Sequence, residues 1–327
     1  MNDHNLKRVM NAKLHVYTIF SFHLIFSILV FSCCKQPQNR SDGQKKLKFQ
    51  GSSQVLPADD ASICWHHAAD PNKINGVALV IHGLNLRPDR MEPIIALLTD
   101  SGIDVLNLSL RGHGPNHCHE ADIDNARLEA FKTVSYKLWI DETYRAYQHA
   151  RKRSDQKKTP LFFIGFSLGG LMEAELPLTY PDVAFDRMVL LAPALSMHAI
   201  NYITKLLSPF PRLVIPSVAS KHYRANSGVP MAAYNALFEA VEHFNTNAGP
   251  KINIPTLILV DPRDELISYK GLKRLAENKQ LDQWKFHDIR KDEGIKNVLH
   301  HLIVDEASVG KDMWNEMKTA IINHLLP

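Results

Sequence analysis

The stretch Leu161-Phe-Phe-Ile-Gly-Phe-Ser-Leu-Gly-Gly170 constrains the fold more than any other part of the chain. Four apolar residues between Pro160 and Gly165 read as a short, fully buried strand. Gly165-Phe166-Ser167-Leu168-Gly169 then fits G-x-S-x-G, in which a serine occupies a sharp strand-to-helix turn. Strained backbone angles at such a serine require small residues two positions to either side, and Gly165 and Gly169 meet that requirement. Gly170 lets the next helix start close to the strand. Residues 171–180 can supply that helix, although Pro177 is expected to end or kink it. Alone, the five-residue pattern also occurs in ordinary Gly-rich turns. Between a buried strand and a helix-like run it marks Ser167 as a candidate nucleophile.

Around this stretch, apolar strands alternate with helical patterns. Gln54-Val-Leu56 and Ile63-Cys-Trp65 suggest an early antiparallel hairpin, with Asp59-Asp60 near its turn. Val77-Ala-Leu-Val-Ile81 reads as a central parallel strand closed by His82-Gly83-Leu84-Asn85. A helix is expected over 89–98, a strand over 105–110 ending at Arg111-Gly-His-Gly114, and a long amphipathic helix over 134–151. Leu138, Tyr144 and Tyr147 are among that helix's apolar positions. Met188-Val-Leu-Leu-Ala192 is another buried strand. The alternation then stops. Residues 194–250 contain short helical pieces punctuated by Pro209, Pro211, Pro216 and Pro230, with apolar residues such as Tyr202, Leu206, Phe210, Leu237 and Phe238. This reads as a helical cap inserted after the sixth strand. Alternation resumes with a strand over 255–260, a helix over 268–278, a strand over 284–289 and a final helix over 312–325. Repeated strand–helix units imply an α/β domain, its mostly parallel central sheet covered by helices on both faces.

The N-terminus has a different character. Lys7, Arg8 and Lys13 precede an apolar run over 16–31, the pattern of a secretory signal peptide. The run is shorter than the roughly twenty residues of a membrane span. Val30-Phe31-Ser32-Cys33 follows and resembles a bacterial lipobox, with Cys33 the residue to be acylated and Cys34 its competitor; Phe31 is bulkier than usual there. Residues 1–32 are therefore expected to be a lipoprotein-type signal, with an uncleaved anchor or simple secretion as the alternatives, 33–53 a polar flexible tether and 54–327 the folded domain. That implies an exported protein, lipid-anchored in a bacterial cell envelope. Cys64 and Cys118 remain, and an oxidising compartment would permit a disulfide between them; two separate thiols are the alternative. With 38 basic and 34 acidic residues the charge is bland, and no basic patch with interleaved aromatics points to nucleic acid. No feature specifies an oligomeric state.

From Val77 onward the motifs resemble the α/β-hydrolase family, most closely its monoacylglycerol lipase, lysophospholipase and carboxylesterase branch, which overlaps with serine aminopeptidases of the S33 type. The resemblance implies the order Ser…Asp…His. The acid is sought in Asp261-Pro-Arg-Asp264 after the 255–260 strand. Asp264 matches the family's position; Asp261 stands where glycine is usual and is a second candidate. The base is sought in His300-His301-Leu-Ile, where His301 fits the pattern better and His300 is the alternative. Two backbone N–H groups are expected to form an oxyanion hole, those of Leu84 and of Leu168. His82 and the Arg111–Gly114 loop are expected to be structural.

The resemblance and the apolar cap together imply hydrolysis of esters with hydrophobic acyl groups, such as monoacylglycerols, lysophospholipids or short-to-medium-chain esters, with no cofactor. A thioesterase would use the same triad. So would an aminopeptidase, with Glu239 and Glu242 available to bind a peptide amine. A non-catalytic, ligand-binding lipoprotein of the same fold is the reading from another class. His113, His117, Cys118, His119 and Glu120, with Cys64, His66 and His67, form a group rich in metal-ligating residues, but at no zinc-site spacing, and no metal is expected.

Overall fold

The computed structural model describes residues 62–114, 124–295 and 299–327. The signal and tether with Cys33 and Cys34, the strand expected at 54–56, and the group from His117 to Glu120 with Cys118 lie outside the described residues.

The sheet is built from strands whose residues are apolar almost throughout, as strands covered on both faces must be. β2 (Gly76–Ile81), β3 (Ile103–Leu108) and β4 (Leu161–Phe166) are buried at every position. With β1 (Ile63–His66), β5 (Arg187–Leu191), β8 (Thr256–Val260) and β9 (Trp284–Asp288) they form a seven-stranded sheet ordered β1-β3-β2-β4-β5-β8-β9. Only β1 is antiparallel, and its partner is β3. Cys64 on β1 is buried and disulfide-bonded, its partner lying outside the described residues.

Helices flank the sheet. α1 (Glu92–Asp100) follows a 3₁₀ turn at Pro88–Met91 and packs on β3, and the short α2 (Asp124–Phe131) follows β3 in the chain. α3 (Tyr136–Lys157) starts where the Ser135 hydroxyl accepts from Leu138 N–H and stops at left-handed Lys158. Its buried stripe is Trp139, Thr143, Ala146, Tyr147, Ala150 and Ser154 at helical spacing. Leu138 and Tyr144 lie at the margin of that stripe. Tyr144 stacks on Tyr180 and donates to Asp182.

α4 (Leu168–Thr179) packs on β4 and contains Pro177. The proline does not stop the helix at once. Two further residues stay helical, and the Lys251 ammonium donates to the Pro177 carbonyl, which Pro181 has no N–H to meet.

The expected cap divides in two. Among the described residues the insertion follows the fifth strand, β5. Its first part carries a 3₁₀ helix at Ala199–Leu207 and a ribbon of β6 (Val214–Pro216) with β7 (Gly228–Pro230). Its second part, α5 (Met231–Asn247), buries Ala233, Ala236, Ala240 and Phe244 and packs on α3 and α4. These four residues recur at helical spacing, so α5 is a core helix. The part before it bonds instead to the turns after β2 and β8, Asn226 to Asn85 and His198 to the Asp264 carbonyl. α6 (Tyr269–Asn278), α7 (Glu306–Val309) and α8 (Lys311–Leu325) complete the domain.

Candidate active site

The turns that follow β2, β4, β8 and β9 at their C-terminal ends hold every candidate residue. This is where open parallel sheets place their sites. Ser167 occupies the turn after β4 at φ 52 and ψ −109, conditions in which a non-glycine residue is strained. Three backbone bonds impose them: Ser167 N–H donates to Leu191 O, while Ser167 O accepts from Leu171 and Ala194 N–H. The glycines act by close approach. A Cβ at Gly169 would lie 2.2 Å from the Ile81 carbonyl oxygen, and one at Gly165 would lie 2.5 Å from backbone atoms of Gly169 and Gly170. Helix α4 can therefore cross β2 and β4 at backbone contact, with Ser167 at its tip.

The serine is the first member of a hydrogen-bonded line. Its Oγ lies 2.9 Å from His301 Nε2, and His301 Nδ1 lies 2.8 Å from Asp264 Oδ2. All three side chains are buried, with His301 the most accessible at 8 %. Asp264 Oδ1 accepts the N–H groups of Leu266 and Ile267, which fixes the carboxylate in the turn after β8. With Asp264 accepting at Nδ1–H, Nε2 is left free to take a proton from the Ser167 hydroxyl.

The second candidates pair with each other. His300 Nδ1 lies 2.8 Å from Asp261 Oδ2, and Arg263 also bonds Asp261. Burial alone would raise the Asp261 carboxyl, but Arg263 and His300 hold it below the usual carboxylate range. Asp261 and His300 thus form a hydrogen-bonded pair beside the line through Ser167, not a part of it.

The turn after β2 abuts the nucleophile. A Cβ at Gly83 would meet the Phe166 ring at 2.6 Å and Ser167 Cβ at 3.2 Å. The Leu84 N–H is carried on this turn, and Leu168 is the first residue of α4, whose N–H has no carbonyl one turn back. Two buried histidines brace the turn. His82 Nε2 accepts from Leu110 N–H, so its Nδ1–H donates to Gly83 O. Burial lowers its pKa to about 4, which keeps it neutral. His113 Nε2 accepts from Asn85 N–H and its Nδ1–H donates to Leu110 O, so both of its nitrogens are engaged by backbone. Asn85, at φ 57, bonds reciprocally with Asn226 from the cap.

Sequence reading alone did not reach three supports. Glu265 accepts from the N–H groups of both His300 and His301 at 3.1 and 3.2 Å. Lys291 donates to the carbonyls of Leu299 and Leu302 at 2.6 and 2.9 Å. His198, at the start of the cap, bonds the Asp264 carbonyl through Nε2. No spacing signal marks such side chain-to-backbone contacts in advance.

The fold has known counterparts. A monoglyceride lipase from Saccharomyces cerevisiae, crystallised with a substrate analogue, superposes with a TM-score of 0.63 at 15% identity, covering 81% of this chain and 90% of that one. A lipolytic enzyme of metagenomic origin gives 0.62 at 17% identity, over 83% and 99% of the two chains. The chain has the α/β-hydrolase fold. In sequence, residues 72–230 match the family described as serine aminopeptidase, S33. A monoglyceride lipase homologue of Monkeypox virus is 22% identical over 271 residues, 76% of this chain and 90% of the viral protein.

Proposed function

We propose that this α/β-hydrolase is a serine esterase that cleaves carboxylic esters of hydrophobic acyl groups, monoacylglycerols and lysophospholipids among them. The observation that carries the reading is the unbroken line Asp264–His301–Ser167 beneath a strained elbow. Ser167 Oγ attacks the acyl carbonyl as His301 Nε2 takes its proton, and Asp264 stabilises the resulting imidazolium. The Leu84 and Leu168 N–H groups receive the developing oxyanion. His301 then returns the proton to the departing alcohol, leaving Ser167 acylated. Water, deprotonated by the same imidazole, releases the acid and restores the serine.

The lipid preference has two supports. Ile200, Ile203 and Leu206 on the cap's 3₁₀ helix, and Phe210 just beyond it, are exposed, Leu206 at 77 % and Phe210 at 62 %. Such a row suits acyl chains or a lipid surface. The sequence and fold relatives include monoglyceride lipases. Glu239 and Glu242, which an aminopeptidase would need for the substrate amine, lie exposed on α5. Hydrolysis of p-nitrophenyl esters from acetyl to palmitoyl, run beside an aminoacyl p-nitroanilide, tests the reading. Esterase activity with an optimum at a medium or longer chain is expected. Turnover of the anilide alone would replace the esterase with a peptidase. Turnover of neither, with no labelling by a fluorophosphonate, would leave the ligand-binding lipoprotein.

The enzyme is further proposed to be exported and acylated at Cys33. The charged and apolar leader and the Val30-Phe31-Ser32-Cys33 motif support this, as does the disulfide at Cys64, since such bonds persist in oxidising compartments. In a bacterial host fed radiolabelled palmitate, the wild-type chain should take up label and Cys33→Ala should not. Label kept by Cys33→Ala but lost from Cys34→Ala would move the anchor by one residue. An unlabelled wild type would remove it.

A further inference from the structure

His301 lies in irregular backbone between β9 and α7, so no helix or sheet ladder holds it where the chemistry needs it. Every polar group of such backbone still requires a partner. At Leu299–Leu302 those partners come from two charged side chains on neighbouring turns. One Glu265 carboxylate oxygen accepts from His300 N–H and the other from His301 N–H. The Lys291 ammonium reaches the Leu299 and Leu302 carbonyls on either side of the pair. Bonds to charged groups are roughly twice as strong as neutral ones, so four of them make a firm support.

We propose that Glu265 and Lys291 are positioning residues that clamp the backbone around His301, Glu265 through the His300 and His301 N–H groups and Lys291 through the flanking Leu299 and Leu302 carbonyls, and so hold Nε2 of His301 at Ser167. The proposal rests on the serine esterase reading only for its kinetic arm.

The surroundings favour the clamp. Glu265 directly follows Asp264, so a single turn after β8 orients the imidazole through Asp264 and holds the backbone through Glu265. Burial lowers the Lys291 pKa, and the nearby carboxylates of Asp261, Glu265 and Asp264 oppose that shift and favour the ammonium. The Asp261–His300 hydrogen bond ties the same two turns together a second time. A displacement of the base by about 1 Å can cost on the order of 100-fold in rate. Loosening this backbone should therefore act on turnover rather than on substrate binding.

Glu265→Ala and Lys291→Met are each expected to lower kcat about 10- to 100-fold with KM within about twofold. The rate of Ser167 labelling by a fluorophosphonate should fall by the same factor. Glu265→Gln, which keeps one acceptor oxygen, should fall between wild type and Glu265→Ala. In a His301→Ala background, Glu265→Ala should cause no further loss, because it acts through the missing imidazole. A kcat within twofold of wild type in folded Glu265→Ala overturns the proposal, as does an equal loss in the His301→Ala background. A crystal structure of Glu265→Ala, or of Glu265→Gln if the first does not fold, gives the independent arm. The His301 Nε2 to Ser167 Oγ distance should lengthen from 2.9 Å to beyond about 3.5 Å. An unchanged distance overturns the clamp. If the wild-type enzyme neither turns over esters nor takes the label, the esterase reading fails, and the crystallographic distance still decides the clamp.

Discussion

Ser167→Ala and His301→Ala should each lower kcat/KM for a p-nitrophenyl ester by about 10⁴-fold or more, while His300→Ala stays within about tenfold of wild type. The two histidines are adjacent, both hydrogen-bond an aspartate at 2.8 Å, and differ in what their other nitrogen meets. His301 Nε2 has the Ser167 hydroxyl at 2.9 Å, whereas the bond from His300 Nδ1 goes to Asp261 beside that line. Removing either Ser167 or His301 breaks one proton-transfer unit, so Ser167→Ala with His301→Ala should be little worse than either alone. Asp264→Asn should cost about 10³- to 10⁴-fold, since an amide stabilises the wrong imidazole tautomer. Asp261→Asn should cost far less. The comparison is made by kcat/KM on purified proteins whose folding is checked by circular dichroism. Loss of activity in His300→Ala equal to that in His301→Ala would reject the assignment of the base.

Gly169→Ala should abolish soluble expression, although it adds a single methyl group. The new Cβ would lie 2.2 Å from the Ile81 carbonyl oxygen, 2.7 Å from its carbon and 2.9 Å from the His82 carbonyl oxygen. All three are backbone atoms at the end of a central strand, so no side chain can rotate away. Relief requires α4 to lift off β2 and β4, which would open the apolar contact between helix and sheet. A loss of more than about 4 kcal/mol is expected, a large share of the roughly 5–15 kcal/mol that holds a domain together. Gly249→Ala is the control. It adds the same methyl where nothing lies within 4 Å, at an extended φ of −175, and should shift stability by no more than about 0.5 kcal/mol. Soluble yield and thermal melting would separate the two. A Gly169→Ala protein melting within a few degrees of wild type would show that the elbow does not need backbone contact.

The strands and most helices were legible because their physics is local. A run such as Leu161-Phe-Phe-Ile has no polar residue to offer solvent, and β4 is accordingly buried at every position. The helix boundary at Ser268, whose hydroxyl accepts from Gly271 N–H, could be placed to within a residue for the same reason. The extent of the cap was less legible. Prolines mark where helices break, but they do not say on which side of a break the chain returns to the core. Residues 231–247 rejoin the domain because Ala233, Ala236, Ala240 and Phe244 meet α3 and α4.

The sequence by itself determined the chemistry on offer: a serine that must stand on a tight turn, an acid after one strand and a histidine pair after the next. Those features follow from short-range sterics and from the order of elements along the chain. Tertiary structure decided which acid meets which base. Asp261 with His300 and Asp264 with His301 are separated by 39 and 37 residues, and although the local motifs favour Asp264 and His301, neither segment shows which histidine each aspartate bonds. The choice arises where β4, β8 and β9 end along the same edge of the sheet, and the nitrogen that reaches Ser167 Oγ belongs to His301. The supports from Glu265, Lys291 and Asn226 are of the same kind, because a side chain that bonds distant backbone leaves no periodic trace in its own neighbourhood.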